Sequence, residues 1–522
     1  MTQLVAPPER FNFAQWLFTL NAGRGGKPAY LDDGGTLNYA QLEAQSRRFA
    51  AALYKLGVHR EERVLIAMLD CREWPIAYLG CLYAGVVPVC VNTLLPANEY
   101  AHMIDHSRSQ AVFTSPALLE KVQEALGESA AKTLPTIVTG SKVAKPCVRF
   151  DDFLDVAPLA AAADTYADDI AFWLYSSGST GRPKAVVHSH GNLYWTNETY
   201  GKNVLKLRED DVVFSAAKFF FAYGFGNAVT FPLAVGATVV VMAERPTPAA
   251  IFKRLTERKV TVYYGVPTLF ASMLADPAIP PRSAVALRLC TSAGEPLPEQ
   301  IGLRFKEHFG ADILDGIGST EMLHIFICNR AEDVRYGTTG TPVPGYEISL
   351  RDEDGKPVAD GEIGDLYIKG PSAPLMYWRD TARSRATFQG VWTKAGDKYL
   401  RDAQGYYVYC GRSDDMLKVS GQYVSPAEVE ATLVGNDAVL EAAVIGVENA
   451  QGLMRTKAFV VLKQGVEGSE ALRQQLHDYV KTQLTPHKAP KQLEFVAELP
   501  KTATGKIQRF RLRERERAKP AA

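Results

Sequence analysis

Helix-period stretches alternate with short apolar runs between Leu37 and Thr291, and this alternation limits the fold more than any other feature of the sequence. Apolar residues at Leu42, Phe49, Ala52, Leu53 and Leu56 recur at helical spacing, and residues 64–68 then read as a buried strand. Further short strands are expected at 111–114, 212–215, 237–242, 260–264 and 286–291, with helices such as 248–258 between them. Buried strands separated by helices give an α/β sheet protein.

Past Pro342 the pattern changes. Residues 348–352, 364–370 and 405–411 read as short strands between Gly and Asp turns, without long helices between them. A second boundary falls near 411–415, after which 426–434 and 469–484 read as helices and 442–447 and 456–462 as strands. The expected organisation is a large N-terminal domain of mixed sheets with helices, 1–412, including a β-rich subdomain at about 342–412. A small α+β C-terminal domain, 413–522, follows it. In the tail, Arg and Glu alternate over 509–519, which reads as a solvated helix.

At 522 residues the chain exceeds one ordinary domain, and its 58 Lys and Arg against 58 Asp and Glu leave no net charge. Neither nucleic acid nor an anionic membrane is therefore an expected partner, and an anionic ligand must be met by a local site. The seven cysteines, residues 71, 81, 90, 147, 290, 328 and 410, show no zinc or redox spacing and read as reduced thiols. No stretch resembles a secretion signal or a membrane span, so a cytoplasmic protein, monomer or homodimer, is expected.

Five segments carry chemistry. The first, Tyr175-Ser176-Ser177-Gly178-Ser179-Thr180-Gly181-Arg182-Pro183-Lys184, supplies flexible backbone, hydroxyl donors and one positive charge, a combination suited to phosphate. It is not a Walker A loop, because no Gly precedes Lys184 and Ala185 follows it. The second, Asp315-Gly316-Ile317-Gly318-Ser319-Thr320-Glu321, delivers a hydroxyl and a carboxylate together, and Glu321 fits magnesium as readily as it fits a helix cap. The third, 392–397, ends in Asp397, either a ribose ligand or a simple turn. The fourth is 411–421 and the fifth 500–507.

In this order the five segments resemble the adenylate-forming superfamily of acyl-CoA synthetases, peptide-synthetase adenylation domains and luciferases, over nearly the whole chain. The likeness is closest to the benzoate-CoA ligases, through residues 214–224, 264–268 and 322–326. The resemblance implies ATP, Mg2+ and coenzyme A, a small aromatic carboxylic acid as substrate, and a mobile C-terminal domain. Lys506, Lys184, Thr320 and Glu321 match catalytic positions, with Glu321 as the metal ligand. Ser176 to Gly181 match the phosphate loop, Ala293, Gly294, Glu295, Asp315, Gly316 and Ile317 the adenine walls, and Asp397 and Arg412 the ribose contacts. Phe221, Ala222, Tyr223, Gly224, Gly318, His324 and Ile325 match the acid pocket, which Lys506 also reaches. Asp414 matches the hinge, and Lys418, Ser420 and Gly421 the coenzyme A channel.

Three positions depart from the broad pattern. Ala185 stands where a Gly usually continues the loop and is expected to stiffen that turn. Ile317 replaces an aromatic adenine partner, and Ala222 replaces a His, leaving room for a ring. The implied chemistry is ATP-dependent formation of an aryl-adenylate followed by transfer to the coenzyme A thiol. The alternatives are a ligase for another ring acid (4-hydroxybenzoate, 2-aminobenzoate, a fluorobenzoate or a cyclohexene carboxylate) and a non-catalytic nucleotide-binding protein on the same fold.

Overall fold

A computed structural model describes residues 4–140, 142–176, 183–413, 416–419, 422–448, 454–484, 488–501 and 507–518. The alternation of strands and helices builds two large sheets. In the first, nine strands run in the order Thr341–Pro342, Ile325–Cys328, Ile313–Gly318, Leu289–Ser292, Val262–Gly265, Val212–Ser215, Thr238–Val240, Pro28–Asp32, Gly35–Asn38. Its six central strands are parallel, and antiparallel pairs close both edges. The second, of eight strands, runs Met376–Tyr377, Lys184–Ser189, Ile170–Ser176, Val87–Cys90, Arg63–Ala67, Ser109–Thr114, Thr136–Val138, Val148–Arg149.

One continuous core takes side chains from both sheets, including Tyr30, Val213 and Leu314 from the first and Ile66, Phe172 and Leu174 from the second. The helix Glu73–Tyr83 lies within it, buried at every residue from Trp74 onward. A helix that is apolar all round must be enclosed on all sides. Its Tyr78 ring meets Phe172 and Phe225 edge-on, at 5.6 and 4.9 Å.

The β-rich region is an antiparallel sheet of Glu347–Arg351, Gly364–Lys369, Trp392–Arg401, Phe388–Gln389 and Tyr407–Arg412, with one short helix, Thr381–Thr387, beside it. The C-terminal part pairs Val439–Glu448 with Met454–Leu462 and then Gln492–Phe495, packed by helices Pro426–Val434 and Glu470–Gln483. Its own core holds Val429, Leu433, Val444, Val460, Leu476 and Val480. The tail helix Arg509–Arg517 is more than a solvated rod. Leu512 is buried against Ile445 and Phe459, and Glu516 accepts from Lys457 Nζ at 2.8 Å.

One further expectation needs correction. Ala185 lies in no turn: it is a buried strand residue opposite Tyr175, where extended backbone suits alanine and no glycine is required. For Asp397 the alternative of a simple turn falls away, because the residue sits inside a ten-residue strand. All seven cysteines are free. Among the described residues, no helix is long and apolar enough to cross a membrane.

Candidate functional site

Ser176 ends one strand and Lys184 begins the next, and the two residues face each other across the antiparallel ladder. Ser177, Gly178, Ser179, Thr180 and Gly181 lie outside the described residues, as do Asp414, Ser420, Gly421, Lys506 and the side chain of Lys418.

Glu321 follows the strand Ile313–Gly318 and brings together what the sequence separates by more than 130 residues. Its Oε1 accepts from Ser176 Oγ at 3.3 Å and from the Tyr377 hydroxyl at 2.8 Å, and lies 3.8 Å from Lys184 Nζ. The ammonium of Lys184 also stands 4.8 Å from the centre of the Tyr377 ring. Attraction of a cation to a carboxylate and to a ring face fixes a lysine that is otherwise flexible. Among the described residues these contacts all converge on Oε1, and Oε2 is the oxygen that could meet a cation. Among the described residues no three His, Cys, Asp or Glu side chains form a metal cage. One carboxylate suits magnesium, which keeps its waters and takes its other ligands from phosphate.

The neighbouring carbonyl is anchored as well. Burial pushes the His188 imidazole down to about 4, so it is neutral and its Nε2–H donates to the Thr320 carbonyl oxygen at 2.8 Å. Ser319 Oγ accepts from the Met322 N–H at 3.1 Å, which makes this a turn. Glu321 caps no helix.

Asp397 and Arg412 are register partners on adjacent strands, with Arg412 Nη1 donating to Asp397 Oδ1 at 3.2 Å. Asp397 is buried and Arg412 half-exposed, an arrangement that presents one carboxylate at a fixed height to a diol. Ser292 and Asp315 are likewise paired across parallel strands. Ala293, Gly294 and Glu295 continue from the first of these, and Gly316, Ile317 and Gly318 from the second. Burial raises the Asp315 carboxyl to about 8, so that it is largely protonated near neutrality. Ile317 is half-buried and packs on the core with its aliphatic face.

The segment 214–224 is pinned before it reaches Ala222. Asp70, buried, accepts from the Phe219 N–H at 3.2 Å and lies 3.9 Å from Lys218 Nζ, which also donates to the carbonyls of Met242 and Glu244. Phe219 and Phe220 are core residues, as their position beside Trp74 and Phe221 requires. Phe221 is half-buried at the start of the short helix Ala222–Phe225, and the Tyr223 hydroxyl is hydrogen-bonded to Thr291 Oγ1 at 2.5 Å. His324 fills space left by a missing side chain. A Cβ on Gly226 would lie 2.3 Å from its ring.

That ring is wholly enclosed by Tyr200, Tyr223 and Phe231, and burial pushes the imidazole down to about 3. Its Nε2–H donates to the Tyr223 carbonyl at 3.2 Å, while Nδ1 has no partner among the described residues. His324 is therefore a neutral packed residue with one acceptor to spare. Ile325 is buried beside it, and Gly318 approaches it closely, because a Cβ there would meet the His324 carbonyl oxygen at 2.7 Å. Tyr377 carries no sequence signal as a site residue. Its strand is two residues long, and pairing with Val186 together with hydrogen bonds to Ser384 places it.

Residues 17–378 match the family model described as AMP-binding enzyme, and residues 428–506 match that of the AMP-binding enzyme C-terminal domain. The chain is 52% identical over 516 residues to a benzoate–CoA ligase of Thauera aromatica, covering 97% of this chain and 96% of that one. The structure is similar to that of a benzoate CoA ligase from Burkholderia xenovorans LB400, with a TM-score of 0.91 and 59% identity over 96% of this chain and 100% of that one. It is also similar to the anthranilate CoA ligase AuaEII in complex with anthranoyl-AMP, with a TM-score of 0.94 and 39% identity over 98% of each chain.

Proposed function

The chain belongs to the AMP-binding enzyme family, and on that premise we propose that it is a benzoate–CoA ligase, converting ATP, benzoate and coenzyme A to benzoyl-CoA, AMP and pyrophosphate. The observation that carries the substrate is the likeness to two proteins named for benzoate, at 52% and 59% identity over nearly the whole chain. In the first step a benzoate oxygen attacks the α-phosphorus of ATP, and the bond to the β-phosphate breaks with its electron pair on pyrophosphate. In the second the thiol sulfur attacks the acyl carbon, the thiol proton passes to solvent, and the acyl–oxygen bond breaks with its electron pair on AMP.

No protein nucleophile is required, so the side chains act by position and charge. Lys184 faces the phosphates and Glu321 orients it, Asp397 receives the ribose hydroxyls with Arg412 behind it, and Asp315 to Ile317 wall the base. Lys506 is assigned to the carboxylate and α-phosphate in the first step. Glu321 would hold a magnesium ion through Oε2, and the ion would supply charge that neutralises the phosphates. Ala222, Tyr223 and Gly224 with His324 and Ile325 form the ring pocket.

The deciding experiment measures AMP and pyrophosphate from ATP with a panel of ring acids, each with and without coenzyme A. Benzoate leading, with turnover dependent on coenzyme A, is the expected result. ADP as product, or no acid-dependent product, would overturn the reading. Tyr377→Phe keeps the ring under Lys184 and removes the donor to Glu321, a hydrogen bond to charge worth about 1.5 kcal/mol or more. The magnesium concentration for half-maximal rate is expected to rise about tenfold, with the KM for benzoate unchanged. Ala222→His is expected to overfill the pocket and lower kcat/KM for benzoate roughly tenfold, through a cost of about 1–3 kcal/mol, with the KM for ATP held. An unaltered acid profile in that variant would remove Ala222 from the pocket.

A further inference from the structure

Beside Lys184 a cleft of about 340 Å³ opens between the helix Ala97–Ser107, the start of the strand Lys184–Ser189 and residues 377–383. Half of its lining is basic, with one carboxylate among the rest. His102 and His106 lie one helical turn apart with rings stacked at 5.3 Å, and Lys184, Arg379 and Arg383 face them. The carboxylate in the lining, Asp380, is already committed. It pairs with Arg383 Nε at 3.4 Å and accepts from the Arg383 N–H at 3.1 Å. Asp105, next to His106 in sequence, is turned away to Ser129 and Ala130.

Arg379 is the informative residue. Its φ is +54°, a left-handed conformation that a long side chain adopts at a cost of about 1 kcal/mol or more, yet its guanidinium makes no ion pair with any described residue. The segment that carries it is fastened on both flanks. Tyr377 donates to Glu321, and Trp378 donates from Nε1 to the His106 carbonyl at 3.2 Å while its ring packs 4.6 Å from Trp173. The His106 imidazole, bonded through Nδ1 to the Tyr175 hydroxyl at 2.9 Å, is pushed down by burial and further by His102 and Arg379. Lys184, Arg379 and Arg383 around an open cleft, with two imidazoles able to donate beside them, describe a site suited to a polyanion.

We propose that this cleft is a second polyanion subsite, which receives pyrophosphate as it leaves the phosphate-binding segment. The inference rests on the adenylation reading above, because Lys184 lines the cleft and also stands against Glu321, so one ammonium borders both places. Pyrophosphate is the species whose charge matches four or five donors without a ring to accommodate. In this arrangement the product is handed from Lys184 to Arg379, His102 and Arg383, which draws the first step forward by lowering the chance of return.

The test is a variant that combines Arg379→Ala with His102→Gln, neither of them in the catalytic set, assayed for pyrophosphate as a product inhibitor. The inhibition constant is expected to rise about tenfold, equivalent to ~1.4 kcal/mol, while the KM values for ATP and coenzyme A stay within about twofold of the parent. Arg379→Lys, which keeps a charge, is expected to retain most of the affinity. An unchanged inhibition constant overturns the proposal. So does a KM for ATP that rises in step, which would place these cations on the bound nucleotide, or a KM for coenzyme A that rises alone, which would assign the cleft to its phosphates. Calorimetric titration of each protein with pyrophosphate alone reads the cleft without any turnover. Binding by the parent that the double variant loses supports the subsite even if benzoate proves not to be the substrate. Parent and variant binding equally, or no binding by the parent, would sink it.

Discussion

Replacing Glu321 with Gln is expected to lower benzoate-dependent pyrophosphate release by about 10²–10³-fold, the range seen when one preorganised electrostatic group is removed from a reacting centre. The amide keeps the shape and can still accept from Ser176 and Tyr377 through its oxygen. What it loses is the charge that holds Lys184 at 3.8 Å and the anionic Oε2 offered to a metal. With the charge gone, Lys184 retains, among the described residues, the Tyr377 ring at 4.8 Å, and its ammonium spends less time toward the phosphates. The loss should appear in kcat and in the magnesium requirement together, with the fold intact by thermal unfolding. A variant within tenfold of the parent at saturating magnesium would show that Glu321 is an onlooker.

The second large effect is steric. Gly224→Ala places a Cβ 2.2 Å from the Lys218 carbonyl oxygen and 2.4 Å from that of Ala217, distances no carbon tolerates. Neither oxygen is free to withdraw, because Lys218 is tied to Asp70, Met242 and Glu244 and the next N–H is bonded to Asp70. The short helix must move instead, carrying Ala222 and Tyr223 with it. An ångström of displacement at a positioned reactant costs on the order of a hundredfold in rate, and the clash itself costs about 3 kcal/mol of stability. Both kcat/KM for benzoate and the unfolding temperature are expected to fall. Full activity at an unchanged unfolding temperature would show that the chain relaxes by a route this packing does not offer.

Much of this is readable in the sequence. The strand Val212–Ser215 and the helix Pro426–Val434 fall on the residues expected of them, because each is bounded by clear punctuation and has one dominant period. The phosphate segment, Glu321, Asp397 and Arg412 were all recognisable as motifs. Their pairings were not. Asp397 with Arg412, and Glu321 with Ser176, are set by strand register and by contacts across the molecule, which local patterns do not encode. Tyr377 was invisible because two residues of edge strand have no period at all. Ala185 was misread since a loop motif was carried one residue too far, into a strand where its small apolar side chain is simply buried. The π-helical stretch Asn197–Leu205 likewise has no signature distinct from an ordinary helix.

Among the described residues, the C-terminal sheet and its helices fill their interior from residues 417–512, while the larger core draws on residues 11–407. Two interiors that share no side chain also share no mutational debt: the damage done by a cavity at Val444 or Val460 stays with that module, since effects at distant sites without common partners simply add. Sequence drift can therefore accumulate in either half without drawing on the tolerance of the other, and the surfaces where the halves meet carry the constraint that both must obey.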